Sequence, residues 1–553
     1  MSRFRQALKS MSQDTTARTG ETVVNFMGGE SYVINALDTL KMVTASSIFG
    51  EPSYYRQGGV GRRKIQETRY AGSKLLNGYL IGQDRWEGRT TTEIMEQTID
   101  EALEEDFGGT LQWAAVMRNV FDMRLNPQVI MVRAALHPGR EDFTKDNPGV
   151  FGQTEQQVLV RGDDVLAQLA YFLYINHGKQ NMPSILKRAL AKRLGAMDPY
   201  EVMKYKNAEI GLRDAVRITH AKSPVIDEYM KTGAVTLPRT KKTWENLRSE
   251  GRAWREIFHE IPMGHMALLR NLRGVFEEQE DPQFCGEYLD RMKAGVKGGR
   301  QFPFRYYSAW EAVRKSTCAH RPQILDALEE CMDLSMEHLP GFRGKTMCLS
   351  DNSGSAWGAI SSEYGTVQIA VIDNLSSVMA AAVSDEGYVG KFGDRLRVFP
   401  VSKRGQVLRQ CQEISKERSS DVGPSTEGGI WEFFLEAIEK KEYWDQIFIY
   451  SDQQAGHGGL FGTDRQRQQY QKMGFAWGDH INVFELILEY RKKVNPYVNV
   501  FSIQTAGYNN ICIPEYAYRT CILYGWTGKE LLFARQMIDL WDQQEKSPEE
   551  AEN

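Results

Sequence analysis

Through about residue 340 the apolar positions recur at helical spacing, and sustained strand alternation is scarce. Residues 185–195 (ILKRALAKRLG) carry apolar side chains at 185, 186, 189, 190 and 194. Residues 212–219, 254–261 and 266–276 (MALLRNLRGVF) repeat the stripe, and Gly, Pro and Asn punctuate the intervals. A stripe on one face must be buried against a neighbour, so the pattern predicts an all-α array of paired helices. No strict repeat is visible in the letters, so the solenoid is inferred from the stripes alone. After residue 340 the pattern changes to short apolar runs at 346–350 (TMCLS), 388–392, 396–401, 446–451 (QIFIYS) and 498–504 (VNVFSIQ). Helical stretches at 366–383, 406–417, 426–440, 483–493 and 529–541 lie between and after them. Strand and helix in alternation predict a mainly parallel sheet covered on both faces. The expected organisation is a helical domain over 1–340, an α/β domain over 345–541 and a polar tail over 542–553, acidic and frayed from Lys546 onward.

A chain of 553 residues with 41% hydrophobic side chains has enough apolar surface for more than one core, which agrees with that division. The net charge of -4 hides a split. Residues 1–350 carry 48 basic and 44 acidic side chains, a balance of +4, while 351–553 carry 20 and 28, a balance of -8. Between Lys179 and Lys222 ten basic side chains face four acidic ones. Clustered Lys and Arg suit phosphate contacts, although charge runs on helices are more often solvated faces. The first ten residues (MSRFRQALKS) lack the apolar core of a signal peptide, and nowhere do roughly 18 apolar residues run uninterrupted. The expectation is a cytoplasmic protein without a membrane partner. Seven widely spaced cysteines with no CxxC pair read as reduced core thiols.

The sharpest local signal is Asp351-Asn352-Ser353-Gly354-Ser355, directly after the run TMCLS. In a doubly wound sheet the ligand crevice lies at the carboxyl ends of the strands. A carboxylate and two hydroxyls on alternate residues there can converge on a hard cation, which prefers oxygen ligands. Thr426, opening a helix, and Asp452, closing QIFIYS, are expected at the same edge. The competing reading is a plain strand-to-helix turn capped by Asp351.

Other motifs fail on spacing. His259-Glu260 with His265 is not HExxH, because position 263 is Met and Pro262 interrupts the helix. Gly344-Lys345-Thr346 lacks the upstream glycine of a phosphate loop, where Leu339 stands. Gly58–Arg63 lacks the flanking strand and helix of a dinucleotide site. With no catalytic dyad or triad discernible, no enzymatic activity is expected.

Residues 345–541 resemble a von Willebrand factor A domain, whose metal-ion-dependent adhesion site is DxSxS with a later Thr and Asp. The resemblance implies Mg²⁺ or another divalent cation held by Asp351, Ser353, Ser355, Thr426 and Asp452, with a position open to a partner's carboxylate. A second resemblance covers the helical part. Residues 212–224 (LRDAVRITHAKSP) after Lys204-Tyr205-Lys206, residues 254–276 and residues 302–310 (FPFRYYSAW) are similar to blocks of the Ro autoantigen family, in which a TROVE domain precedes an A domain. That resemblance implies a ring of HEAT-like helical pairs followed by a Rossmann-like A domain. It implies small noncoding Y RNA on a basic outer surface, single-stranded 3′ ends of misfolded RNA in a central hole, and, for bacterial members, association with a 3′-to-5′ exoribonuclease. Lys204, Lys206 and His220 match the family's RNA-contacting positions; Arg213, Arg217 and Lys222 are added on proximity and charge. Lys and Arg would position phosphates, and His220 would donate to a phosphate or stack on a base. Two alternatives stay open: a metal-dependent protein-interaction scaffold without RNA, and a metal-dependent hydrolase using the Asp351 site.

Overall fold

The computed structural model describes residues 22–24, 30–33, 35–46, 75–76, 79–80 and 91–546, less 180, 207–209, 238–242, 300, 338, 359–366, 404, 425–428, 452–467, 469–470, 473–482, 506–509, 512, 514–515, 518 and 525–527. These residues fall into two compact units, one built mainly from 34–240 and the other from 15–33, 241–360 and 367–553.

The first unit is helical. Ala36–Ser46, Thr91–Glu105, Phe107–Asn119, Asn126–Leu136, Val150–Val158, Gly162–Ile175, Ser184–Gly195 and Leu212–Thr219 follow one another, most packing on the next. The stripe read at 185–195 is the inner face of Ser184–Gly195, where Leu186, Leu190 and Leu194 are fully buried. Caps set the helix starts: Asp198 accepts from the backbone N–H of Glu201 at 2.8 Å, and Ser223 from that of Ile226 at 3.3 Å. One ion pair is buried among these helices, Arg118 with Asp164 at 3.0 Å. Both its members are nearly inaccessible, so removing either would strand a charge.

The second unit begins with helices Trp244–Ser249, Trp254–Glu260, His265–Glu278, Pro282–Ala294, Pro303–Arg314 and Arg321–Met336. His265 is buried, with one ring nitrogen bonded to the carbonyl of Met292 and the other to the Tyr306 hydroxyl, both at 2.8 Å. Both nitrogens serve packing, in agreement with the failed zinc motif. Glu329 ties the helices to the sheet layer: its carboxylate accepts from the backbone N–H groups of Leu408 and Arg409 at 3.1 and 2.8 Å, at the start of helix Val407–Ser415. A carboxylate at a helix N-terminus satisfies orphan donors and the dipole together.

The sheet runs in the order Tyr516–Ala517, Thr520–Tyr524, Asn499–Gln504, Gln446–Ser451, Phe342–Asp351, Ser384–Phe392, Leu396–Pro400. Its four central pairings are parallel, and an antiparallel strand closes each end. Sequence patterning therefore located five of the seven strands, the edge strand Leu396–Pro400 among them, and missed Tyr516–Ala517 and the inner strand Thr520–Tyr524. Helices cover both faces. Trp541 of Lys529–Lys546 stacks on Phe501, which stacks on Phe448, while Gly429 of Gly429–Lys440 lies against Phe392, on the face that carries Asp351. A Cβ at Gly429 would stand 2.3 Å from the Phe392 ring, so only glycine permits this approach. Helical elements followed by a sheet-and-helix layer are thus both present, as the patterning predicted. Six of the seven cysteines lie among the described residues, all free and buried. No helix among the described residues is long and apolar enough to cross a membrane.

Candidate metal centre and basic surface

Asp351 closes the central strand and is fully buried. Its two carboxylate oxygens are held from opposite sides: one accepts from the backbone N–H of Ser353 at 2.9 Å, the other from the Ser451 hydroxyl at 2.8 Å. The Ser353 and Ser355 hydroxyls lie 3.0 Å apart. Adjacent ligands of an octahedral Mg²⁺ stand about 2.9 Å from one another, given metal–oxygen distances of about 2.1 Å. The contact is a hydrogen bond between the two hydroxyls, and its length is also compatible with neighbouring positions in a coordination shell. Among the described residues no group of three His, Cys, Asp or Glu side chains could hold an ion, at this loop or elsewhere. A single carboxylate with hydroxyls fits a hard divalent cation and does not fit zinc or copper.

Behind the loop an uncharged network fixes its shape. Asn352 and Asn374 exchange amide hydrogen bonds at 2.8 and 3.1 Å. The Ser350 hydroxyl donates to Asn374 at 2.7 Å, and Asn374 donates to Ser415 at 2.9 Å. Asn374 sits on helix Ile369–Ala382, so the loop is anchored to an element 22 residues away. Two further anchors approach from the positions expected to complete the shell. The Gly354 N–H donates to the carbonyl of Pro424 at 2.6 Å, and three residues earlier in the chain Asp421 pairs with the buried Lys391 at 2.7 Å and with Arg397 at 2.9 Å. Burial pulls the Lys391 ammonium below its ordinary range despite that partner. Ser451, which holds Asp351, directly precedes Asp452. Thr426 and Asp452 themselves lie outside the described residues.

Sequence reading missed Asn374, Ser415 and Ser451, because the first two are brought in by helix packing and the last by strand register, not by proximity along the chain. It also missed Gln504. In register with Ser451, Gln504 is 2% exposed, and neither end of its amide finds a partner among the described residues; the buried Thr505 hydroxyl is likewise unpartnered there. The edge thus carries more hydrogen-bonding capacity than the described residues use.

The basic candidates lie in the helical unit. Arg213, Arg217, His220 and Lys222 occupy Leu212–Thr219 and the turn after it, and all four are exposed. The inward face of that helix, Leu212, Ala215, Val216 and Thr219, is buried, which fixes the charged face outward. Lys204 is exposed at the end of Pro199–Tyr205, and Lys206 is half-buried just past it. This helix and Leu212–Thr219 both pack on Gly162–Ile175. Arg213 lies over the Tyr229 ring at 5.7 Å, and Arg217 forms an exposed pair with Asp214 at 3.3 Å, an interaction worth well under about 1 kcal/mol and easily exchanged. His220 adopts φ 60°, ψ 34°, and its N–H closes the helix on the carbonyl of Val216 at 2.8 Å. The imidazole makes no hydrogen bond to any described residue. A glycine would adopt this left-handed turn at about 1 kcal/mol less cost.

No family model matches the chain, and no curated protein matches it. Among solved structures, the crystal structure of the Ro (RSR) protein of Deinococcus radiodurans superimposes with a TM-score of 0.53 at 15% identity, over 91% of this chain and 100% of that one. Over that span the chain has the fold of a Ro protein.

Proposed function

We propose that the protein is a Ro-type RNA-binding scaffold, acting with a small noncoding Y-like RNA in RNA quality control or decay in the cytoplasm. The observation that supports this reading is the exposed set Lys204, Arg213, Arg217, His220 and Lys222, carried on a helical unit that has the Ro fold. Cations on an outward helix face bind phosphates and fix register, and an imidazole without an internal partner offers a donor or a stacking plane. Single-stranded 3′ ends and an exoribonuclease are the further partners this reading implies. In it the A-type layer holds a divalent cation, Mg²⁺ by its oxygen chemistry, through Asp351, Ser353 and Ser355 with Thr426 and Asp452. The cation would supply an open coordination position for a partner's carboxylate; the chain's own residues fix the donors and keep the loop rigid. No catalytic role is assigned.

The test is retention of RNA. Purified protein should carry small RNA, visible as a raised ratio of absorbance at 260 to 280 nm. A combined Lys204→Ala and His220→Ala substitution should abolish binding in a low-salt filter assay. Undiminished binding removes these residues from the site, and nucleic-acid-free native protein favours the metal-dependent protein-interaction scaffold instead. That second reading draws on the unused hydrogen-bonding groups of Gln504 and Thr505 beside the metal loop.

A further inference from the structure

The helical unit also contains a cleft of about 470 Å³ between helices Val150–Val158 and Ser184–Gly195, whose lining includes neither Lys204 nor His220. Phe151, Leu159, Ile185 and Ala189 form an apolar floor, and Gly149 and Gly152 keep one wall low. Three cations line it, Arg188, Lys192 and Arg193, and no carboxylate does. Arg193 is committed internally, to Glu201 at 2.7 Å and to the carbonyl of Val160 at 3.2 Å. Arg188 and Lys192 are exposed; Arg188 spends one donor on the carbonyl of Ser184 at 3.2 Å, leaving the rest of its guanidinium to solvent. The carboxylate of the facing helix, Glu155, turns away from the cleft and accepts from Gln168 in the interior at 3.0 Å. Helix Arg140–Asp146 contributes Thr144 alone; its Glu141, Asp142 and Asp146 are not part of the lining.

We infer that this cleft is the docking groove for an acidic amphipathic helix of a partner protein. Charge selects the ligand's sign, since an apolar trough rimmed by two uncommitted cations and no anion favours a partner bearing carboxylates. Geometry selects a helix. Ile185, Arg188, Ala189, Lys192 and Ala196 follow one face over twelve residues, about 16 Å from first to last, the span over which anchors at i, i+3 or i+4 and i+7 engage a groove. Single-stranded nucleic acid is disfavoured by the floor. Base stacking needs an exposed aromatic face, whereas Phe151 is 1% exposed and the remaining floor is aliphatic.

Fluorescence anisotropy on the nuclease-treated full chain tests this. The probe is a fluorescein-labelled peptide of about four helical turns with leucines along one face and glutamates along the other. It should bind, and a matched peptide with lysine for glutamate should bind at least about tenfold more weakly. Ala189→Trp, which fills the trough, and the pair Arg188→Glu with Lys192→Glu should each cost at least about tenfold in affinity. The charge pair alters only exposed side chains, so it reports even if Ala189→Trp melts early. Lys204→Ala with His220→Ala should leave peptide affinity unchanged, which separates this groove from the RNA reading. Equal binding of the lysine peptide, or indifference to both sets of substitutions, overturns the proposal. So does a labelled oligouridylate whose own affinity falls with Ala189→Trp, which would make the groove a nucleic-acid site.

Discussion

The Asp351 loop and the basic helix face are built on opposite principles. Asp351, Asn352 and Ser353 are at most 2% exposed and held by hydrogen bonds from three other elements, so the loop's shape is settled before any ligand arrives. Arg213, Arg217, His220 and Lys222 are exposed and tied down by little more than a cation–ring contact and one surface ion pair. A preorganised buried site loses little entropy on binding and tolerates substitution poorly. A solvated charge cluster adapts to its ligand, shares the energy among its members and yields to salt.

The largest expected effect probes whether the helical unit is as free of buried polarity as its surface chemistry suggests. Glu155 is fully buried, and burial pushes its carboxyl up to about 7 from an ordinary 4.5, the Gln168 amide opposing this only in part. Below pH 4.5 both folded and unfolded chains hold the proton, so no penalty is felt. Between that value and about 7 the unfolded chain releases the proton and the folded one keeps it, so stability falls as pH rises. The loss totals about 3 kcal/mol and is complete above pH 7. Glu155→Gln should remove that slope and raise stability at pH 8 by a similar amount, read by urea unfolding across pH.

Next in size is the metal loop. With Mg²⁺ about a hundredfold above Kd, the wild type should gain about 2.7 kcal/mol in thermal stability, and Asp351→Ala none. A third measurement sharpens the contrast in rigidity. Asn374→Ala strands the Asn352 amide and the Ser350 hydroxyl, at about 1–3 kcal/mol. Because Asn374 orients the loop without being expected to touch the ion, Mg²⁺ affinity should also drop by about tenfold or more. The smallest effect belongs to the exposed face: Arg213→Ala should leave folding unchanged and reduce the slope of log affinity against log salt by about 0.7–0.9. A collapse of RNA binding from that single change would show the face to be as cooperative as the buried loop, and the contrast would fail.

Much of this was legible from the chain because the signals were local. Asp351, Ser353 and Ser355 stand on alternate residues after an apolar run, and the 185–195 stripe maps onto buried Leu186, Leu190 and Leu194. What was missed is non-local. Ser451 reaches Asp351 across 100 residues, and Asn374 reaches Asn352 across 22, through strand register and helix packing that no window of sequence contains. Strand Ser384–Phe392 starts four residues before its apolar run because parallel pairing with Phe342–Asp351 carries the polar stretch Ser384–Gly387 into the sheet. Strand Thr520–Tyr524 was hidden for a related reason: five residues, begun by a threonine, extend the sheet only because Asn499–Gln504 offers a parallel edge.

The reciprocal pair of Asn352 and Asn374 has a consequence for control. Primary amides neither gain nor lose a proton across the range in which proteins stay folded, and neutral hydrogen bonds are not screened by ions. The amide latch itself is therefore indifferent to acidity and to ionic strength, whereas Asp351 in the same loop carries a carboxylate and the helical unit carries Glu155 and exposed cations. A shift in pH or salt would leave this one latch in place, so Asn352 would keep its orientation while the charged groups around it respond.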